Sequence, residues 1–69
     1  MHVLGLVQAL LTLGIELGRI RAQPVVPLAH VLMGASDEAA LYVAEATDRT
    51  QARTEMIGIF DQLIQGLTA

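Results

Sequence analysis

The chain has no cysteine, no tryptophan and no lysine, and only one tyrosine, one phenylalanine and two prolines among its 69 residues. Without cysteine, neither a disulfide nor a thiolate metal site can support the fold. Without lysine, the cations reduce to Arg19, Arg21, Arg49 and Arg53, set against seven carboxylates for a net charge of -3. A phosphate-binding surface needs clustered Lys and Arg. Only Arg19 and Arg21 stand together, and they fall in a connector. Two aromatic rings offer bases little to stack on. These shortages speak against direct nucleic-acid binding, and the acidic balance disfavours an anionic membrane surface.

What the chain has in quantity is apolar side chain: 54% of residues are hydrophobic and 16% charged. That is too apolar for disorder. A domain this short buries only a modest share of its surface. Ordering it costs on the order of 1.5 kcal/mol per residue, about 100 kcal/mol in all. With disulfides and thiolate metal sites gone, a partner chain is the expected support. The apolar run at residues 3 to 15 meets Glu16, Arg19 and Arg21 before the ~20 residues a membrane span needs. Met1-His2 supplies no basic n-region for a secretory signal. The run therefore reads as a helix buried by packing, in a cytoplasmic protein with no membrane role.

Glycine, proline and capping residues divide the chain into three helices, expected at about residues 3 to 17, 25 to 46 and 49 to 67, in one domain spanning residues 1 to 69. Gly18 occupies the place of a left-handed C-terminal cap. Gly5 and Gly14, each costing up to about 1 kcal/mol inside a helix, imply close packing there. Arg19 to Gln23 is a polar connector. Pro24 suits a helix start, and Pro27 still falls in the first turn, where amide donors lack intrahelical partners. Asp48 is a good N-cap, with Gln51 at capping-box spacing. The only short β-branched run, Val25-Val26, is bounded by prolines, so no strand competes.

The helix faces then set how much surface must be hidden. On the third helix, Ala52, Met56, Ile59, Phe60, Leu63, Ile64 and Leu67 recur at three- and four-residue steps. Ile57 widens the apolar arc to about 160°, and Asp61, Thr54, Gln65, Gln62 and Glu55 take the other side. The second helix carries Leu28, Val31, Leu32, Ala35, Ala39, Tyr42, Val43 and Ala46 on one face and a flatter face of Ala29, Met33, Ala40 and Ala44. Small residues at these spacings let backbones approach closely. Three helices with such arcs do not cover each other within one copy. A twofold homodimer does, two helices from each chain making an intermolecular four-helix bundle. The expected interface is Ala35, Ala39, Tyr42 and Val43 on the second helix and Met56, Ile59, Phe60, Leu63, Ile64 and Leu67 on the third.

No catalytic constellation is present, and the chain does not read as an enzyme. Ser36 is the only serine. His30 lies six residues before it, roughly 9 Å along a helix, which makes no nucleophile–base pair; Ser36 reads as a small residue packed between helices. His30 and Asp37 are two turns apart and read as a solvated face rather than a metal site, so neither metal nor cofactor is expected. Glu38 lies at the margin of the apolar face, where it either pairs with Arg53 or a partner helix at the dimer seam or stands solvated. Tyr42, one turn on, either reaches that carboxylate or the bundle rim. Met33 and Met56 either line a small apolar pocket or serve as core.

Gly14-Ile15-Glu16-Leu17-Gly18-Arg19-Ile20-Arg21 resembles the short helix end and G-x-h-R turn found late in TetR-family transcriptional regulators. Residues Leu28 to Leu41 are similar to that family's LAxxLxGAxxEAAL helix. The Ala46-Thr47-Asp48 break, the Ala52-Arg53-x-Glu55 run and the closing Leu63-Ile64-x-Gly66-Leu67 follow in the same order. The resemblance implies a C-terminal ligand-binding and dimerisation domain whose last two helices pair between chains. The helix-turn-helix reader that opens such regulators has no counterpart in these residues. The expected function is therefore a non-enzymatic dimerisation module, pairing with itself or with a longer TetR-like relative. The competing expectation is a small apolar-ligand-binding module, with its pocket between the first helix and the other two.

Overall fold

The computed structural model describes residues 2 to 69, which form three helices: α1 Val3–Glu16, α2 Val25–Glu45 and α3 Arg49–Leu67. The chain is all-α, and α1 and α2 each end one residue before the expected place, with Leu17 and Ala46 as C-caps. Gly18 ends α1 at φ +73°, a conformation that only glycine adopts freely. Its amide donates to Ile15 O at 3.0 Å and that of Arg19 to Gly14 O at 2.9 Å, the paired bonds of a Schellman motif. Ile20 N also donates to Gly14 O at 3.1 Å, which lays the Ile20 side chain over Gly14. A Cβ at Gly14 would stand 2.5 Å from Ile20 Cδ1, whereas one at Gly5 would meet nothing within 4 Å. The close packing expected at both glycines thus exists at Gly14 alone, because only there does the chain fold back across the helix.

Pro24 caps α2 and Pro27 is its third residue, where no intrahelical donor is lost. Ala46 turns the backbone extended, and Asp48 opens α3 by accepting from Gln51 N at 3.0 Å. That bond satisfies one of the orphan amides of the first turn. The connector after α1 is less free than its polarity suggests. Arg21 N donates to Leu67 O at 3.0 Å and Ala69 N to Arg19 O at 3.1 Å, with Ile20 and Thr68 in an isolated antiparallel bridge. The Arg21 guanidinium donates to Gly66 O. The end of α3 is thereby fastened to the connector that follows α1.

α1 packs on α2 and α2 on α3, while α1 and α3 do not meet along their lengths. Among the described residues the buried core is one residue per helix: Leu11, Ala29 and Ala52. The molecule measures 41 × 26 × 16 Å with a radius of gyration of 13.5 Å, against about 11 Å for a compact domain of this length. Its accessible surface is 5139 Å², roughly 900 Å² above the ~4,200 Å² typical of a folded monomer of its mass. The excess matches the ~800 Å² that each partner contributes to a standard protein–protein interface.

Candidate dimerisation face

α2 and α3 enclose an open groove of about 740 Å³, lined by Ala39, Ala40, Val43 and Ala44 from α2 and by Arg49, Arg53, Met56, Ile57, Phe60, Asp61 and Ile64 from α3. The floor is built from the line where the two helices meet. Ala39, Val43, Met56 and Phe60 are half-buried there, their apolar surface partly covered by the opposite helix. The walls are wet: Ile57 is 62% and Ile64 47% exposed. Ala40 and Ala44 give the α2 wall a low profile on which another helix backbone can approach closely. At one end Arg49 and Arg53 join Thr50 and Thr54 around a smaller polar recess of about 210 Å³.

Five of the ten residues expected at the interface, namely Ala39, Val43, Met56, Phe60 and Ile64, line this groove. Ala35 and Leu67 are half-buried within the protomer. Tyr42, Ile59 and Leu63 lie outside the groove, each more than half exposed. Ile57 and Ile59 differ by two residues, about 200° of helix rotation, so they face opposite sides of α3. Both sides of that helix are thus apolar and uncovered, with α2 as its one neighbour in the protomer. The groove also draws in Ala40, Ala44, Ile57 and three charged residues that the expected interface left out. The spacing of Ile57 places it in the apolar arc of α3, though not in the expected interface. Arg53 and Asp61 each stand one helical turn from it.

The remaining candidates resolve individually. Ser36 is exposed, and its hydroxyl donates back to Leu32 O at 2.8 Å, so it is not the buried small residue expected between helices; the local backbone acceptor satisfies it where it stands. His30, Asp37 and Glu38 are exposed, and no group of potential metal ligands occurs among the described residues. Glu38 is not among the groove-lining residues that include Arg53. The α2–α3 groove takes no residue from α1, whereas the expected ligand pocket lay between the first helix and the other two. α1 keeps its own uncovered stripe: Val3, Leu6, Leu10, Leu13 and Leu17 are all at least 43% exposed. No helix among the described residues is long and apolar enough to cross a membrane.

The described residues thus form three helices with an uncovered apolar face between α2 and α3. Residues 1–67 match the family described as "Tetracyclin repressor-like, C-terminal domain", and the chain belongs to that family. The membership ties it to the ligand-binding and dimerisation part of a class of regulators. No curated protein matches the sequence.

Proposed function

We propose that this chain is a non-enzymatic homodimerisation module of a TetR-like regulator, pairing through the α2–α3 groove to make a four-helix bundle from two copies. The carrying observation is the groove itself: an apolar face between two helices, in a protomer whose surface exceeds that of a compact monomer by about one interface's worth. Among the described residues only Leu11, Ala29 and Ala52 are buried, too small a core to leave this face in water without cost. The expected residues Ala39, Val43, Met56, Phe60 and Ile64 form the shared seam, with Ala40, Ala44 and Ile57 beside them. Ala35, Tyr42, Ile59, Leu63 and Leu67 then serve the hairpin and its outer flank. Because a twofold interface is self-complementary, a longer relative with the same face would be accepted as readily as a second copy. This chain itself would add no DNA contact, and the reading places it in the cytoplasm with such regulators.

Light scattering after size exclusion tests the proposal. A mass of twice 7.4 kDa at micromolar concentration supports it, and a stable monomer overturns it. A second reading is favoured by the groove's volume, which falls within the ~300–1,000 Å³ typical of small-ligand sites: the same face takes an apolar ligand. The two readings separate by competition. If ligand occupies the groove, apolar additives such as medium-chain alcohols raise the melting temperature while lowering the dimer fraction. If the groove belongs to the second copy, they leave the dimer fraction unchanged.

A further inference from the structure

The groove carries charge in an ordered way. Arg53, Ile57 and Asp61 all line it and are spaced i, i+4, i+8, so they share one side of α3, with Ile57 about 6 Å along the axis from each. Arg53 and Asp61 are exposed, and neither takes part in an ion pair among the described residues; Asp61 Oδ2 accepts only from Gln65 Nε2, at 3.2 Å. Asp61 is the one carboxylate in the lining.

We propose that the second copy seats in one register: α3 antiparallel to the partner's α3 about a twofold axis at Ile57, held by two symmetric Arg53–Asp61 pairs between the chains. The proposal rests on pairing through the groove, argued above, and names the partner's register. Twofold symmetry sets residue i against j and j against i. With the axis at Ile57, Arg53 of each copy comes level with Asp61 of the other, and Arg49 comes level with Gln65. The low α2 wall of Ala40 and Ala44 leaves room for the partner's Ile57.

Two alternative placements fail on charge. Parallel α3 helices would set Arg53 beside Arg53 and Asp61 beside Asp61, a like-charge contact on each side. Sliding the axis from Ile57 to Phe60 would set Arg53 against Leu67 and Asp61 against Ile59, covering two charges with apolar side chains and no partner. Because Arg53 and Asp61 are exposed, the pairs select register and partner more than they add affinity.

The test is a charge exchange between two variants, Arg53→Asp and Asp61→Arg. Each alone sets like charges across the axis twice, and its self-association weakens by about tenfold or more at low salt. Mixed, they restore two attractive pairs, and the heterodimer exceeds the statistical half of all dimers. The double variant Arg53→Asp/Asp61→Arg recovers parent self-association, which also shows that the single variants fail at pairing rather than folding. At about 1 M salt, where the Debye length is near 3 Å, the heterodimer excess disappears. Single variants that dimerise like the parent and mix statistically would overturn the register while leaving groove pairing intact. A monomeric parent would overturn both.

Discussion

The Ile20 side chain lies across Gly14 so closely that a Cβ on that glycine would come within 2.5 Å of Ile20 Cδ1 and 3.0 Å of Ile20 Cγ1. The Ile20 backbone has little freedom to retreat, since its amide donates to Gly14 O and its neighbour Arg21 donates to Leu67 O. One missing methyl therefore lets α1 end, turn and reach the C-terminus of α3 within three residues.

Gly14→Ala is expected to stabilise nothing. The gain in helix propensity, about 1 kcal/mol, is offset by moving Ile20 off its seat. Gly34→Ala is the matched control: it is also inside a helix, but its Cβ would meet nothing within 4 Å, so it should gain roughly 0.5–1 kcal/mol. Chemical denaturation of both variants at one fixed protein concentration checks this. Equal gains in the two would contradict the contact.

Asp48→Ala should cost about 1 kcal/mol by removing the acceptor for Gln51 N, within the ~0.5–2 kcal/mol range for such caps. For a domain of this size that is a fall of roughly 4–8 °C in melting temperature. Asp48→Asn keeps a side-chain acceptor at the cap and should retain most of the stability. Thermal melts of the three proteins side by side separate the cap from a simple charge effect.

The fastening of the C-terminus to the connector has its own signature. Arg21 N and Ala69 N are engaged with carbonyls 46 and 50 residues away, Leu67 O and Arg19 O, so both amides should be protected from hydrogen exchange although they lie outside the helices. Deleting Thr68 and Ala69 removes the Ala69–Arg19 bond and the Ile20–Thr68 bridge. Exchange at Arg21 should then accelerate while the middle of α2 stays protected. Unprotected amides at Arg21 and Ala69 in the intact chain would contradict the pairing.

The helices were legible in the sequence because their ends are set by local chemistry: the positive φ of Gly18, the rings of Pro24 and Pro27, and the carboxylate of Asp48 each act within a few residues. The pairing of residues 19–21 with 66–69 was not, because it joins segments far apart in the chain through backbone groups that every residue carries. The site was half legible. Met56, Phe60 and Ile64 announce a stripe by their spacing. Asp61 reads as solvent-facing because it is charged, yet it lies only about 40° round α3 from Ile57, with Arg53 the same angle on the other side. Hydropathy ranks residues one at a time and does not show that two opposite charges flank an apolar centre. Ser36 misled in the opposite direction: small size suggested burial, and the Leu32 carbonyl four residues back satisfied it at the surface.

Sedimentation equilibrium on the parent, Ile57→Asp and Leu10→Asp tests most directly whether two copies share the α2–α3 face. Ile57 lies in the groove and Leu10 on the uncovered stripe of α1, and they are similarly exposed at 62% and 58%, so each substitution places a carboxylate at a wet apolar position of the protomer. The parent and Leu10→Asp should sediment as dimers of about twice 7.4 kDa, and Ile57→Asp as a 7.4 kDa monomer. A monomeric parent, or a dimer that survives Ile57→Asp and is lost in Leu10→Asp, would contradict the account.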